Sequence, residues 1–403
     1  MAAHRLRVSP LVGYLLAGVA VGPFTPGFVA DQNLANQLAE VGVILLMFAV
    51  GLHFSLRDLL SVWHVAVPGA LGRIAAATLM AMGLAHGFGW SPGAGLIFGF
   101  ALSVASTVVL VRALGERRIT STERGHVAMG WLIVEDLVTI LVLVLLPALA
   151  PALRGDAALS AAGLALTVVL TVAKIAGFVA LMLVAGRRVI PLVMHHAAHT
   201  GSRELFRLAV YAVALGVAFA ASELFGVSFA LGAFLAGLVM AESPLSQRAA
   251  EEALPLRDAF AVLFFVSVGM LFDPRVIVEA PLAVVGTLAI ILFGKSVVAY
   301  GILRAYGHEP GTALSISASL AQIGEFSFVL AGLGVATGLL PAEGRDLILA
   351  GAILSILLNP VLLSFAERAR IPAPPPVPPM DGVPGDRRPA RETAAPGTSA
   401  RSP

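Results

Sequence analysis

Runs of about 20 apolar residues, separated by short polar segments, recur along almost the whole chain. A helix of about 20 residues spans the hydrocarbon core of a bilayer, which is roughly 30 Å thick. The pattern predicts twelve helical elements, over residues 10–24, 34–52, 63–85, 94–113, 125–149, 160–186, 204–222, 227–241, 258–272, 281–303, 311–338 and 344–366. We therefore expect an all-α polytopic membrane protein.

Composition and charge support this prediction and add an orientation. The chain is 58% hydrophobic and 12% charged, whereas a soluble domain has about 25% charged residues. Assigning the loops alternately to two sides leaves only Arg154, Arg275 and Arg345 opposite the N terminus, while most other loop arginines lie on the N-terminal side. Cytoplasmic loops carry the excess of Lys and Arg. Both termini are therefore predicted to be cytoplasmic.

The chain also contains an internal repeat. Residues 13–19, Gly-Tyr-Leu-Leu-Ala-Gly-Val, recur as Gly-Ala-Phe-Leu-Ala-Gly-Leu at residues 232–238, and residues 45–54 recur more loosely at 263–272. The offsets, 219 and 218, are nearly the same. The first and eighth elements are an odd number apart, so the repeats enter the membrane from opposite sides. We predict inverted repeats over residues 10–149 and 227–366, joined by linking helices over 160–222, with a site near the midplane where they meet.

Two adjacent carboxylates, Glu135 and Asp136, interrupt an apolar span between Trp131 and Leu146. Each ionisable group near the bilayer centre costs about 2.5–3.5 kcal/mol on insertion scales, so such groups usually serve ions or protons. Successive helical residues point about 100° apart. We therefore expect one carboxylate to face the ion while the other holds a buried cation.

Lys295 is the candidate cation, because it lies well inside the tenth element. A buried ammonium needs a counter-charge, and Glu135, Asp136 and Glu325 are its candidate partners. The alternative is a salt bridge with a purely structural role.

Two further elements contain polar or glycine interruptions at positions that the repeat offset relates. Ser103, Ser106 and Thr107 interrupt the fourth element, and Gln322, Gly324 and Glu325 interrupt the eleventh. An offset of 219 carries Ser106 onto Glu325. Unwound backbone at membrane depth is tolerated where it is buried or lines a cavity. For Ser103 or Thr107 taken singly, the alternative is a hydroxyl bonded back to its own helix.

Several segments together resemble the membrane domain of the Kef-type branch of the CPA2 monovalent cation:proton antiporters, from about Leu6 to Ala369. The segments that carry the resemblance are Ser9-Pro-Leu-Val-Gly-Tyr-Leu-Leu-Ala-Gly18, Gly51-Leu-His-Phe-Ser55, Ala105-Ser-Thr-Val-Val-Leu110, Gly130-Trp-Leu-Ile-Val-Glu-Asp136, Leu231-Gly-Ala-Phe-Leu-Ala-Gly237, Phe264-Phe-Val-Ser-Val-Gly-Met270 and Gln322-Ile-Gly-Glu-Phe326.

The resemblance implies a dimerisation domain and a core domain with two broken, crossing helices. Asp136 would bind the cation or the proton in competition, Glu135 would pair with Lys295, and the interrupted segments would line the crossing. The implied protein is a transporter and not an enzyme: a homodimer in the lipid of a bacterial inner membrane that exchanges K⁺ or Na⁺ for H⁺ by an elevator-like movement. No cofactor, no nucleic-acid partner and no metal beyond the transported alkali cation are expected.

Three departures from the family pattern qualify these expectations. The acidic pair is Glu-Asp, whereas electrogenic sodium/proton members of the wider family usually have Asp-Asp and glutathione-gated potassium members have Gln-Asp, so the resemblance assigns neither the ion nor the stoichiometry. Relatives carry one more helix before the Ser9 motif, so we expect either a fold without the family's first helix or a true start upstream of Met1. A Pro-rich tail over residues 370–403 follows the membrane domain where many relatives have a nucleotide-binding domain, and its composition predicts disorder.

Two other functions fit a buried carboxylate. An uncoupled or gated potassium efflux pathway would have a similar site. An intramembrane aspartyl hydrolase is the second, but it needs two acids on separate helices facing one water. Glu135 and Asp136 are sequence neighbours, which disfavours the hydrolase.

Overall fold

The computed structural model describes residues 10–53, 56–107, 109–110, 123–155 and 161–368, and every regular element in these ranges is helical. Each of the twelve predicted elements overlaps a helix, so the all-α fold class is confirmed. Eight stretches within the described ranges are long and apolar enough to cross a membrane. The predicted tail over residues 370–403, and the start of the chain where the family's first helix would end, lie outside the described residues.

The helices are numbered here in chain order. The first half contains α1 (Pro10–Val21), α2 (Gln32–His53), α3 (Leu56–Gly87), α4 (Pro92–Ser103), α5 (Glu123–Arg154), α6 (Ala161–Leu181), α7 (Arg187–His199) and α8 (Arg203–Phe225). The second half contains α9 (Phe229–Ala241), α10 (Ser246–Met270), the short α11 (Val276–Glu279), α12 (Pro281–Ala289), α13 (Lys295–Ala305), α14 (Pro310–Ser319), α15 (Glu325–Ala336) and α16 (Ala342–Arg368).

Two single turns of π-helix join helices that otherwise run on without interruption. Met182–Gly186 joins α6 to α7, and Ile290–Gly294 joins α12 to α13. The second π turn ends immediately before Lys295. Because a π turn inserts an extra residue, it changes the direction in which the following side chains point, and such turns are frequent at functional sites.

Several predicted boundaries differ from the observed helices: the ninth element was predicted from residue 258 but begins at Ser246, and the sixth differs at its end. The sixth element was predicted to end at residue 186, but the helix continues through α7 to His199. Ile190, Met194 and Ala197 are buried at helical spacing, so this segment packs one face inward while its basic residues occupy the other. The apolar run ends at Arg187 because the surroundings of the helix change there. The helix itself continues.

The helices pack in two groups. We call α1, α2 and α7–α10 the scaffold group and α3–α5 with α12–α16 the core group, because the extensive contacts lie within each set. In the scaffold group α2 packs along both α9 and α10. In the core group α3 packs against α4 and α5, and α15 packs against α4. Contacts between the groups are sparse, with α16 against α1 and α9 against α5.

Glycine pairs at the scaffold interfaces follow the sequence repeat. A Cβ atom added to Gly269 would lie 3.1 Å from the Cα atom of Gly18, and one added to Gly237 would lie 3.0 Å from the Cα atom of Gly51. The repeat offsets relate Gly18 to Gly237 and Gly51 to Gly269. Exchanging the two repeats therefore turns one contact into the other, as a pseudo-two-fold axis requires. Small residues allow this close approach of membrane helices.

Candidate functional site

The two broken elements cross at their interruptions. Helix α4 ends at Ser103, residues 104–106 are non-helical, and helical backbone resumes at Thr107. The second interruption separates α14, which ends at Ser319, from α15, which begins at Glu325. The Ser106 backbone N–H donates to Gln322 Oε1 at 2.9 Å, and Gln322 Nε2 donates to the Ser106 carbonyl at 3.1 Å. One amide side chain thus satisfies both backbone groups of a residue in the other repeat.

The pseudo-two-fold axis passes through this crossing. Ser106 and Glu325 are related by the repeat offset, and they also contact each other, since Ser106 Oγ donates to Glu325 Oε2 at 3.1 Å. A contact between two repeat-related residues lies on the symmetry axis of the repeats. The predicted correspondence between the two interruptions is therefore a physical contact.

Gly324 makes the crossing possible. A Cβ atom at this position would lie 2.5 Å from Ser106 Cα and 2.6 Å from Ser106 Cβ. Contacts under 3.0 Å are essentially never found for real Cβ atoms, and the nearest atom, Ser106 Cα, belongs to the backbone.

We expect Gly324→Ala to force the two breaks apart and to lower the free energy of unfolding by about 1–3 kcal/mol, as overpacking of a tight core does. Thermal unfolding of the purified protein in detergent measures the loss. Gly332→Ala is the matched control, because nothing lies within 4 Å of a Cβ atom there. Equal melting temperatures for the two variants would contradict the close crossing.

Glu135 is held by Arg73, a residue that the sequence interpretation missed. Arg73 Nε donates to Glu135 Oε1 at 2.8 Å, Arg73 Nη2 donates to the same oxygen, and both side chains are fully buried. The other oxygen, Glu135 Oε2, accepts the backbone N–H of Ala105 at 3.3 Å. The expected pairing of Glu135 with Lys295 is therefore wrong in this structure, because the guanidinium of Arg73 takes that position.

A signal for Arg73 was present in the sequence. Arg73 lies inside the apolar third element, whereas most arginines of the chain lie between the predicted elements. The repeat offset of 219 carries it to position 292, three residues before Lys295. Since residues three apart share a face of a helix, the repeat predicts that these two cations approach the same place.

Arg73 and Lys295 do converge on one segment. Lys295 Nζ donates to the Gln322 carbonyl at 2.8 Å, and Arg73 Nη1 donates to the Leu320 carbonyl at 3.2 Å. Both carbonyls follow the end of α14, and Asn359 Nδ2 donates to the Ala318 carbonyl at 2.8 Å. The C-terminal end of a helix carries unpaired carbonyls and partial negative charge. Two cations and an amide therefore stabilise the half-helix that ends inside the protein.

Asp136, the next residue of α5, faces a different side of the helix from Glu135. It is 6% exposed, and Asp136 Oδ2 accepts a hydrogen bond from Thr107 Oγ1 at 3.0 Å. Asp136 Oδ1 is buried without a hydrogen-bond partner among the described residues. An unsatisfied buried oxygen of this kind is costly unless a ligand completes it. With the neighbouring hydroxyl oxygen, it offers the oxygen donors that hard cations prefer.

The remaining predicted residue, Ser103, does not reach the crossing. Its Oγ donates to the Phe100 carbonyl at 2.7 Å, three residues back in its own helix. The local alternative thus holds for Ser103. It does not hold for Ser106 or Thr107, whose hydroxyls donate to Glu325 and Asp136.

The chain was compared with known proteins. Residues 1–366 match the model of the transmembrane sodium/hydrogen exchanger family. The chain is 62% identical over 369 residues to YbaL of Escherichia coli (strain K12), which carries the name of a cation/proton antiporter; the match covers 91% of this chain and 66% of that relative's length. It is 32% identical over 367 residues to the iron transporter MagA of Paramagnetospirillum magneticum, covering 90% of this chain and 81% of MagA.

A solved structure has the same fold. The sodium proton antiporter MjNhaP1 from Methanocaldococcus jannaschii superposes with a TM-score of 0.68, covering 91% of this chain and 93% of that chain at 15% identity. The family match over residues 1–366 establishes that the chain belongs to the sodium/hydrogen exchanger family.

Proposed function

We propose that the chain exchanges a monovalent cation, K⁺ or Na⁺, for protons, with Asp136 as the group for which the two compete. The observation that carries this proposal is the buried Asp136 Oδ1, which has no hydrogen-bond partner in the described part of the chain and lies beside the crossing of two broken helices. A carboxylate oxygen at that depth binds either a proton or a cation. Competition for one charge couples the two fluxes, because the loaded forms have the same charge whichever ligand is bound.

The different contacts of the two carboxylates support the assignment of Asp136 as the exchange group. Glu135 has its charge matched by Arg73 and a second oxygen satisfied by backbone. Asp136 has one hydroxyl donor and one open oxygen. Of the two, Asp136 is therefore the carboxylate with coordination capacity left for a transported ion.

The packing into two groups supports an elevator-type movement, in which the core group slides against the scaffold group. Every residue named at the crossing belongs to the core group, and contacts to the scaffold group are sparse. We also propose that two copies assemble through the scaffold group in the lipid of a bacterial inner membrane, with the C terminus cytoplasmic.

The alternative functions are less well supported. An uncoupled efflux pathway would have a similar carboxylate, so transport measurements must separate it from exchange. The hydrolase does not fit the family, and Glu135 is not available as its second acid, because Arg73 engages it.

Everted membrane vesicles from cells that express the chain, in a host without its own exchangers, test the proposal. After respiration acidifies the lumen, a pH-sensitive dye reports the proton gradient while NaCl, KCl or LiCl is added. We expect at least one cation to dissipate the gradient, and the order of effective concentrations to identify the transported ion. Cation flux with an unchanged gradient would favour the uncoupled pathway, and no response to any cation would contradict transport of these ions.

A further inference from the structure

Five ionisable side chains are buried around the crossing: Arg73, Glu135, Asp136, Lys295 and Glu325. Each is at most 6% exposed. Two are cations and three are carboxylates, so their formal charges leave a net charge of −1. Within the described ranges, the other buried ionisable residues, Glu252 and Asp346, interact with arginines near helix ends and not with this group.

Glu325 and Asp136 accept hydrogen bonds from two successive residues, the last of one break and the first of the helical backbone that follows. Ser106 donates to Glu325 at 3.1 Å, and Thr107 donates to Asp136 at 3.0 Å. Adjacent residues thus bind the two carboxylates, whereas Glu135 is matched by Arg73. Lys295 donates to the Gln322 carbonyl and has no carboxylate within 4 Å among the described residues. The negative charge in excess is therefore shared between Asp136 and Glu325.

We infer that Glu325 sets the charge of the exchange site, and that exchange is one cation for one proton without net movement of charge. This inference rests on the proposed function. A net charge moved through the low-dielectric interior of a membrane is costly. With Glu325 ionised, one monovalent cation or one proton brings the group to zero, and the empty group remains at −1. Each half of the cycle is then neutral, and return of the empty core is disfavoured.

A purely structural role for Glu325 makes a different prediction. Glu325 is the first residue of α15, where a carboxylate stabilises the partial positive charge of the helix end. If that were its whole role, Glu325→Gln would lower stability and leave the coupling unchanged. If Glu325 sets the charge, the empty site of Glu325→Gln is at zero and the cation-loaded site at +1. The empty core then crosses freely, and the loaded core responds to membrane potential.

The test uses the full chain purified and reconstituted into liposomes, with the cation identified in the vesicle assay. A lumenal pH dye measures exchange, and current on a solid-supported membrane measures charge movement. We expect wild-type exchange without sustained current. We expect Glu325→Gln to lose cation-driven proton movement and to show cation-driven current. A potential of about 100 mV should change the equilibrium distribution of its single charge about 50-fold.

Two variants keep the inference open to refutation. Glu325→Asp retains the charge and should retain exchange without current. Glu343→Gln removes an exposed first-turn carboxylate from α16 and should behave as wild type. Wild-type exchange accompanied by current, or current-free exchange by Glu325→Gln at the wild-type rate, would overturn this inference while leaving the proposed function intact. Absence of all exchange by the wild type would overturn both.

Discussion

Replacing Asp136 with Asn is expected to reduce cation-induced dissipation of the proton gradient to the level of vesicles that lack the protein. The amide keeps the size of the side chain and its acceptor for Thr107, but it has no charge for a proton and a cation to share. The loss should therefore appear in transport and not in folding. Dye recovery in everted vesicles measures it, with the amount of folded protein in the membrane measured in parallel.

Asp258→Asn is the matched control, because that side chain is 66% exposed and pairs with its neighbour Arg257. It should retain the exchange rate of the wild type. If Asp136→Asn exchanged at the wild-type rate, Asp136 would not be the shared binding group, and Glu325 would become the candidate for that role.

Replacing Arg73 with Met is expected to lower the free energy of unfolding by about 3–5 kcal/mol, because removing one partner of a buried ion pair leaves an uncompensated charge inside the protein. Replacing both partners is different, since buried pairs exchanged for apolar groups of similar size are often neutral in stability. We expect Arg73→Met/Glu135→Met to recover most of the loss. Thermal unfolding in detergent compares the two.

The control for this pair is Arg187→Met, which breaks an exposed ion pair with Glu242. Surface pairs contribute about 0–1 kcal/mol, so the variant should unfold close to wild type. The double variant should also retain exchange, because the net charge around the crossing is unchanged. A double variant as unstable as Arg73→Met would show that Arg73 acts mainly through its bond to the Leu320 carbonyl.

Most of the fold was predictable because it depends on length and periodicity. Apolar runs define membrane helices almost without reference to tertiary contacts. The repeat offset then related distant segments, and it placed Ser106 opposite Glu325, where the structure has a hydrogen bond. Symmetry carried three-dimensional information that hydropathy does not contain.

The contacts of the site that were not predictable depend on the direction in which side chains point and on competition between cations for one carboxylate. Lys295 was expected to pair with Glu135. In the structure the guanidinium of Arg73 binds that carboxylate, and Lys295 binds the Gln322 carbonyl. The π turn before Lys295 also alters the direction of its side chain. Apolar sequence carries no marker of a π turn, since the same residues form an α-helix equally well.

The two reciprocal hydrogen bonds between Ser106 and Gln322 constrain how water can reach the crossing from either face of the membrane. Pulling the two broken helices apart would sever both of those bonds and the bond from Ser106 to Glu325 together, and each buried polar group left unpaired costs about 1–3 kcal/mol. The crossing is therefore a rigid unit. For the proposed exchange, we therefore expect access to alternate by movement of the whole crossing, with its own hydrogen bonds kept intact.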